Sequence, residues 1–357
     1  MLYQWIISLP MMLCFFWSIF WLVRWYGDRS EPRVKRTITL FFIAAAVLYT
    51  DHWLYFSERQ SFVGTWTYFI ANLSVYPIYY TYLRALTRVR PNAEMYLLFL
   101  PAVLVAIFFP LNTYFEWIAA GRVLLFTRLC FAAEVIWVWW RGYRVLRETR
   151  ARLDDIYSDD RSYLLHPTYL IQHLLGFTAA FSMCLNLLGR DFFAESMMVS
   201  IPAIIMSALL FGIGYVAAHT TLPQETIHTE APQAKETTIE ETDALMQAIT
   251  TVLREQKLFA LPDLTIQDLA SAVHSNRTYV SQCINRRTGL SFSQYVARYR
   301  VEHAQQILRD SGYGTDKEAI MDAMTSSGFS SDQTFYRVFK EITGETPLQY
   351  RRLNCQK

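Results

Sequence analysis

Seven stretches of apolar residues follow one another along the first 218 residues of the chain. They cover about residues 5–25, 37–56, 64–83, 95–111, 121–140, 166–188 and 196–218. Each is close to the roughly 20 residues that a helix needs to cross a hydrocarbon core of about 30 Å. The pattern therefore predicts an all-α protein whose residues 1–218 form a bundle of seven transmembrane helices. A water-soluble helical bundle is the alternative, and several stretches lack the polar face that it would need.

From residue 243 onward the pattern changes to short amphipathic helices. Asp243 is placed to cap a helix whose apolar residues have helical spacing: Leu245, Met246, Ile249, Val252 and Leu253. Thr265 is placed to cap a second, shorter helix. Residues 219–242, in between, are rich in Thr, Pro and acids, which predicts a flexible linker without a core. Residues 243–357 are then a separate soluble domain.

This soluble domain contains an internal repeat with an offset of 55 residues. Gly289-Leu-Ser-Phe-Ser-Gln-Tyr295 matches Gly344-Glu-Thr-Pro-Leu-Gln-Tyr350, and Asn276 corresponds to Ser331. Each copy has a polar N-cap, apolar residues four and eight positions later, and a Gly stop. With a short helix before each N-cap, the pattern predicts two helix-turn-helix motifs, about 264–290 and 316–346. A continuous helix over 292–311 joins them.

The composition becomes informative once it is divided by position. Hydrophobic residues make up 53% of the chain and charged residues 18%, below the roughly 25% of an ordinary soluble protein. All 10 Trp lie at or before Trp140, while acids outnumber bases six to one in residues 219–243. A uniformly soluble enzyme, a disordered chain and a secreted disulfide-rich protein do not fit this division.

Lys and Arg are concentrated in alternate connections between the apolar stretches. Fourteen of them follow the first, third and fifth stretches, whereas the opposite connections carry only Arg59, Arg122 and Arg190. By the positive-inside rule, this asymmetry places the N-terminus outside and the C-terminal domain in the cytoplasm. The positive charge of the first stretch comes after its apolar run, so we expect a retained span rather than a cleaved signal peptide.

Five ionisable residues lie inside the apolar stretches: Asp51, His52, Arg128, Glu134 and His173. An ionisable side chain within a hydrocarbon core costs free energy, so each of them is expected to have a partner or a function. One interpretation is an outward-facing pocket in which Asp51, His52 and Arg128 hold a polar ligand. A second is pairing between helices, Arg128 with Asp51 and Glu134 with His173. A proton or ion path is a third, although no repeated broken-helix pattern supports a transporter.

Nothing in the sequence indicates catalysis or a bound cofactor. The HExxH, GxSxG, Walker and paired-carboxylate motifs are all missing. None of the 5 cysteines has the spacing of a metal or redox site. We therefore expect no enzyme activity, no cofactor and no metal, and we expect the cysteines to be small buried apolar side chains.

Residues 243–357 resemble the DNA-binding domain of the AraC/XylS family of bacterial transcriptional regulators. The resemblance is carried by Leu264-Thr-Ile-Gln-Asp-Leu-Ala270, Asn276-Arg-Thr-Tyr-Val-Ser281, Gly328-Phe329, Phe335-Tyr-Arg-Val-Phe-Lys340, Gly344-Glu-Thr-Pro347 and Tyr350-Arg351. It covers about a third of the chain, and the motif that begins at Gly328 is long and specific. The sequence departs from the family pattern at Met324, where a small Ala is usual, and at His274-Ser275, where Gly is common.

The resemblance implies two recognition helices, about 277–286 and 332–340, in adjacent segments of the major groove. Gln and Asn pair with adenine, Arg pairs with guanine, and Ser and Thr are adaptable. The candidates for base contacts are Arg277, Thr278, Ser281, Gln282, Asn285, Asp332, Gln333, Tyr336 and Arg337. The candidates for phosphate contacts, which add affinity without sequence preference, are Arg286, Arg287, Lys340, Arg351 and Arg352. For Arg337 a structural or phosphate-facing role is also open, and any of these charges could be only solvated.

The sequence thus predicts a membrane-embedded, one-component transcriptional regulator of the bacterial cytoplasmic (inner) membrane. Its seven-span domain would sense an unknown small-molecule or membrane signal, and its AraC-like domain would bind double-stranded promoter DNA. The lipid bilayer is a further expected partner, and a homodimer and contact with RNA polymerase fit the same interpretation. The alternative is a transporter or other membrane protein with an appended regulatory domain, or with a domain that tethers a protein partner.

Overall fold

The structure, a computed structural model, describes residues 2–28, 30–56, 62–89, 92–115, 118, 120–159, 162–188, 199–220, 239–310 and 315–354. These residues form helices and turns without a β-strand, and Tyr157 and Thr265 make an isolated antiparallel bridge. The all-α prediction is confirmed for this part of the chain. The chain divides into two compact units: unit 1 comprises Met1–Arg147 and Leu164–Glu225, and unit 2 comprises Glu148–Tyr163 and Thr226–Lys357.

Unit 1 has helical structure at each of the seven apolar stretches. Its helices are α1 (Leu2–Gly27), α2 (Pro32–Phe56), α3 (Phe62–Leu86), α4 (Ala93–Leu97), α5 (Leu100–Phe115), α6 (Ala120–Ile156), α7 (His166–Leu188) and α8 (Ser200–His219). The fourth stretch is divided between α4 and α5. Within the described residues, four segments are long and apolar enough to cross a membrane: Gln4–Gly27, Pro32–Phe56, Ala93–Phe115 and Ser200–His219.

Large apolar side chains cover the outside of unit 1 as well as its interior. Trp5, Ile19 and Phe177 are each more than 60% exposed. In α5 the buried residues are Ala102, Val105 and Asn112, so most of this apolar helix faces outward. An apolar surface of this extent is unusual for a soluble monomer, but a hydrocarbon environment would accommodate it.

The interior of unit 1 is built from close helix contacts. Helix α1 packs against α2 and α8, and α2 packs against α3. Gly214 of α8 lies directly against the ring of Trp17 on α1, and a Cβ atom there would be 2.2 Å from that ring. Small residues that allow such close approach are typical of helix contacts in membranes.

Helix α6 continues well beyond the predicted span of 121–140. It ends at Ile156, so the charged residues that follow Trp140 are helical rather than a loop. The boundary between the units falls within this helix, between Arg147 and Glu148. Residues 148–163 therefore belong to unit 2, whereas the predicted domain limits placed them with residues 1–218.

Unit 2 contains seven further α-helices within its described residues. They are α9 (Ile239–Glu255), α10 (Ile266–Ala272), α11 (Arg277–Thr288), α12 (Phe292–Asp310), α13 (Asp316–Ser326), α14 (Asp332–Thr343) and α15 (Pro347–Asn354). The prediction that Asp243 caps the first helix is wrong, because α9 begins at Ile239. The predicted linker 219–242 lies mostly outside the described residues, and its last residues are part of α9.

The core of unit 2 consists of two apolar clusters. The first is formed mainly by α9, α10, α11 and the start of α12; the second is formed by the rest of α12 with α13 and α14. Helix α12 thus contributes Phe292 and Val296 to one cluster and Val301 and Leu308 to the other. Because α12 is shared, it fixes the two helix pairs α10–α11 and α13–α14 within one domain.

Candidate nucleic-acid interface

The α10–α11 pair is defined by local capping. The Thr265 Oγ1 atom accepts a hydrogen bond from Asp268 N at 3.2 Å, and the Asp268 carboxylate accepts from Thr265 N at 2.9 Å. Asn276 Oδ1 accepts from Tyr279 N at 2.9 Å and starts α11. Gly289 ends α11 with a φ of 70°. The predicted caps at Thr265 and Asn276 are confirmed, and both satisfy backbone N–H groups that a helix start leaves without partners.

The α13–α14 pair repeats the same construction. Thr315 and Glu318 form a second capping box, with Thr315 N donating to the Glu318 carboxylate at 2.9 Å. Ser331 Oγ accepts from Thr334 N at 3.2 Å and starts α14, which Gly344 ends with a φ of 82°. Each of α11 and α14 is thus a short helix with a fixed start, a fixed end and one buried stripe.

The buried stripes leave the opposite faces of α11 and α14 available. On α11 the buried residues are Val280, Cys283 and Ile284, and on α14 they are Phe335 and Phe339. The predicted base-contact residues lie away from these stripes. Four of those on α11 are half-buried and one is exposed: Arg277, Thr278, Ser281, Gln282 and Asn285. All four on α14 are exposed: Asp332, Gln333, Tyr336 and Arg337.

The predicted phosphate-contact residues separate into two groups. Arg286, Lys340 and Arg352 are exposed, which suits a phosphate contact, although Arg352 also lies 3.4 Å from an Asp316 carboxylate oxygen. Arg287 forms an ion pair with Asp243 of α9. Arg351 does not fit the prediction. Only 7% of its side chain is exposed and its Nε atom lies 3.1 Å from an Asp316 carboxylate oxygen. It therefore joins α15 to the start of α13 instead of facing a ligand.

Arg300 of α12 is a buried cation that the sequence pattern did not single out. It is 1% exposed, and its guanidinium donates to the carbonyl oxygens of Phe259 at 2.8 Å and Leu261 at 2.7 Å. Burial lowers the pKa of Arg300 to about 10, so the group remains charged at neutral pH. One signal could have revealed it: Arg300 lies four residues from both Val296 and Ala304, on the buried stripe of α12.

The five ionisable residues predicted inside the membrane stretches have different surroundings. Asp51 accepts a hydrogen bond from Thr67 Oγ1 at 2.8 Å. Glu134 is 5% exposed, and its carboxylate oxygens have no hydrogen-bond partner among the described residues, so the predicted pair with His173 does not form. His173 is exposed, with its ring 5.8 Å from that of Tyr143. Arg128 is half-buried on α6.

His52 lines a cavity. The cavity has a volume of about 170 Å³ and lies within unit 1. Its walls are mainly apolar and aromatic side chains of α1, α2, α3 and α8, with Asn72 as a further polar group. The ring of His52 lies edge-on to that of Tyr68, with centroids 5.1 Å apart.

Comparison with known proteins assigns residues 269–353 to a family described as a helix-turn-helix domain. The melibiose operon regulatory protein of Escherichia coli K12 is 36% identical over 94 residues, which is 26% of this chain and 30% of that protein. The HTH-type transcriptional activator RhaR of Escherichia coli O1:K1 is 40% identical over 76 residues, 21% of this chain and 25% of that protein. The C-terminal part of unit 2 is a helix-turn-helix domain of the AraC type.

The chain spans less than a third of the length of either relative, and no solved structure matches it. Both relatives are named as regulators and not as enzymes. Within the described residues of the chain, no group of His, Cys, Asp and Glu side chains could hold a metal ion.

Proposed function

We propose that this protein is a membrane-embedded transcriptional regulator and not an enzyme. The AraC-type domain binds double-stranded promoter DNA, and unit 1 receives a signal in the membrane. The observation that carries the proposal is the presence, on one chain, of an AraC-type domain and of several helices long and apolar enough to span a bilayer. The regulator acts from the bacterial cytoplasmic membrane.

The DNA-binding part of the proposal uses both helix pairs as helix-turn-helix motifs, with α11 and α14 as recognition helices. Gln282 and Gln333 lie opposite the buried stripes and carry amides that pair with adenine in the major groove. Arg286, Lys340 and Arg352 then contact phosphates. Such contacts make binding dependent on salt concentration, while the amides provide sequence preference.

The membrane part of the proposal is a seven-span unit 1 with its N-terminus outside. The outward-facing apolar side chains support it, because water would not favour their exposure. The excess of Lys and Arg after the first, third and fifth stretches sets the orientation and leaves the AraC-type domain in the cytoplasm. The cavity beside His52 is the place where a small, mainly apolar signal molecule would bind.

Sequence-specific DNA binding is tested by selecting bound duplexes from a randomised library with the full chain in lipid nanodiscs. We expect a consensus sequence with two half-sites about one helical turn, or 34 Å, apart. Gln282→Ala and Gln333→Ala should each weaken binding to that consensus by about 1–3 kcal/mol and relax preference at separate positions. Gln247→Ala, which removes an exposed glutamine of α9 outside both helix pairs, is the control. A domain that tethers a protein would show no consensus.

Membrane topology is tested separately with single cysteines and an impermeant thiol reagent in intact cells. Cysteines in the connections after the second, fourth and sixth stretches should react from outside, and those after the first, third and fifth should not. A reporter gene joined to the selected promoter then separates a sensor from a transporter. A sensor responds to its signal without net flux, whereas a transporter needs flux.

A further inference from the structure

The end of helix α6 is docked onto the AraC-type domain. Ser158 N donates to Leu264 O at 2.9 Å, directly before the cap of α10, and Tyr157 forms a bridge with Thr265. Tyr157 is 2% exposed and Ser158 is 3% exposed. We call residues 153–159, Leu-Asp-Asp-Ile-Tyr-Ser-Asp, the acidic segment. A segment joined to the end of a predicted span is thus packed into the domain that binds DNA.

Arg300 holds the acidic segment in place. Its Nη2 atom donates to Ser158 Oγ at 2.8 Å, and its Nη1 atom donates to Ser158 O at 3.4 Å. The same guanidinium also binds the carbonyls of Phe259 and Leu261. A buried charged donor with several acceptors gives a strong and specific contact. Loss of Ser158 would leave part of this donor set unsatisfied.

The acidic segment also reaches the start of the second recognition helix. The Ser330 hydroxyl donates to the Asp159 carboxylate, and Ser331, the next residue, is the N-cap of α14. A helix N-terminus carries partial positive charge and is where proteins commonly bind phosphate. Asp159 therefore occupies, with a negative charge, a position that suits a DNA phosphate.

A groove of about 650 Å³ lies between the acidic segment and α14. Asp154 and Asp159 of the acidic segment line it together with Thr334 and Arg337 of α14 and with several residues of α12. Arg337 is one of the predicted base-contact residues. Because DNA carries a dense row of negative charges, the carboxylates beside this face oppose its approach both sterically and electrostatically.

We propose that the acidic segment is an autoinhibitory element that blocks the second recognition helix until it is released. This inference rests on the proposed DNA binding, and it adds the regulation of that site. The 37-residue helix α6 provides the connection, because its first part lies in unit 1 and its last part leads into the acidic segment. A signal that shifts this helix would lower the fraction of blocked domains. The measured Kd equals the intrinsic Kd divided by the open fraction.

The test compares variants of the full chain in nanodiscs by anisotropy of a labelled 30-base-pair duplex of mixed sequence. Asp159→Asn and Ser158→Ala should each bind about three- to tenfold more tightly than the wild type, since each raises the open fraction. Glu148→Gln is the matched control, because it removes one exposed carboxylate from the same helix upstream of the segment. Its affinity should stay within about twofold of the wild type, as expected for a distant screened charge.

Circular dichroism of each variant excludes a folding defect as the cause. Equal affinity of Asp159→Asn and wild type, with normal salt dependence, would overturn autoinhibition and leave DNA binding standing. Weaker binding by Ser158→Ala, together with a lower melting temperature, would also overturn it, because the segment would then be a permanent part of the fold. If no variant binds duplex DNA even at low salt, the proposed function itself fails.

Discussion

His274 and Gly328 occupy equivalent turns of the two helix pairs in the same left-handed conformation, with φ values of 52° and 80°. The N–H group of each donates to the carbonyl three residues earlier, and the next N–H donates to the carbonyl five residues earlier. These bonds end α10 and α13 in the same way, as a Schellman-type turn. Histidine therefore adopts in the first turn a conformation that favours glycine.

Replacing His274 by Gly should stabilise the AraC-type domain by up to about 1 kcal/mol, because a left-handed non-Gly residue carries about that much strain. Pulse proteolysis in urea, on the full chain in nanodiscs, measures the change. His274→Ala, which keeps a Cβ atom, is the control and should not stabilise. A lower stability of His274→Gly would show that the imidazole makes a favourable contact in this turn.

Gly328 should tolerate no side chain. A Cβ atom there would lie 2.6 Å from Ala260 O and 2.8 Å from Phe259 O, in addition to the strain of its positive φ. Gly328→Ala should therefore cost about 3 kcal/mol of stability, in the range of severe packing and backbone defects. Gly344→Ala keeps the φ strain but meets nothing within 4 Å, so it should cost less. Equal losses at the two positions would contradict the close approach.

Substitutions of the adjacent residues Arg351 and Arg352 should affect different properties, namely stability for Arg351 and the salt dependence of DNA binding for Arg352. Arg351→Ala breaks the contact with Asp316 and should cost about 1–2 kcal/mol of stability, reduced from a fully buried pair because Asp316 is 43% exposed. Arg352 is 68% exposed. Its Nη2 atom also lies 3.4 Å from an Asp316 oxygen, but an exposed ion pair of this kind contributes little, so Arg352→Ala should change stability by less than about 0.5 kcal/mol. The same variant should lower the slope of log affinity against log salt concentration by about 1. If Arg351→Ala instead lowered the salt slope and left stability unchanged, Arg351 would be a DNA contact.

The capping box of α13 should make stability depend on pH. Hydrogen bonds from Thr315 N–H hold the pKa of Glu318 below its usual value. The ionised Glu318 side chain therefore contributes to folding stability at a pH above the ordinary carboxyl pKa. This contribution is lost as the pH falls through the lowered pKa. Between pH 5 and about 3, the wild type should lose more stability than Glu318→Gln. The measurement is the urea midpoint of unfolding of both proteins as a function of pH. An equal fall of the two midpoints over this range would rule out the capping contribution.

Local signals in the sequence were sufficient for most helix limits of the AraC-type domain. Asn276 and Ser331 cap their helices as predicted, because an N-cap depends on neighbours within three residues. Asp243 was misplaced because the acids before it also suit a helix start, and α9 begins at Ile239. Its carboxylate instead pairs with Arg287, a contact that no local pattern contains.

The continuation of α6 and its docking could not be read from the sequence for a different reason. The basic residues after Trp140 end the apolar pattern of a span, but charged residues are good helix formers and do not end a helix. The contacts of Ser158 with Arg300 join residues 142 positions apart in the chain. Only tertiary packing brings such residues together. The partners of the polar groups inside unit 1 could not be predicted from the sequence for the same reason.

Helix α12 also has a consequence for the genetics of the target promoter. Since its two ends belong to different core clusters, α11 and α14 cannot change their separation freely. We therefore expect DNA binding to depend on the distance between the two half-sites as well as on their base sequences. Deleting one base pair from the spacer would turn the second half-site by about 35° around the duplex axis and weaken binding to the promoter without altering any contacted base.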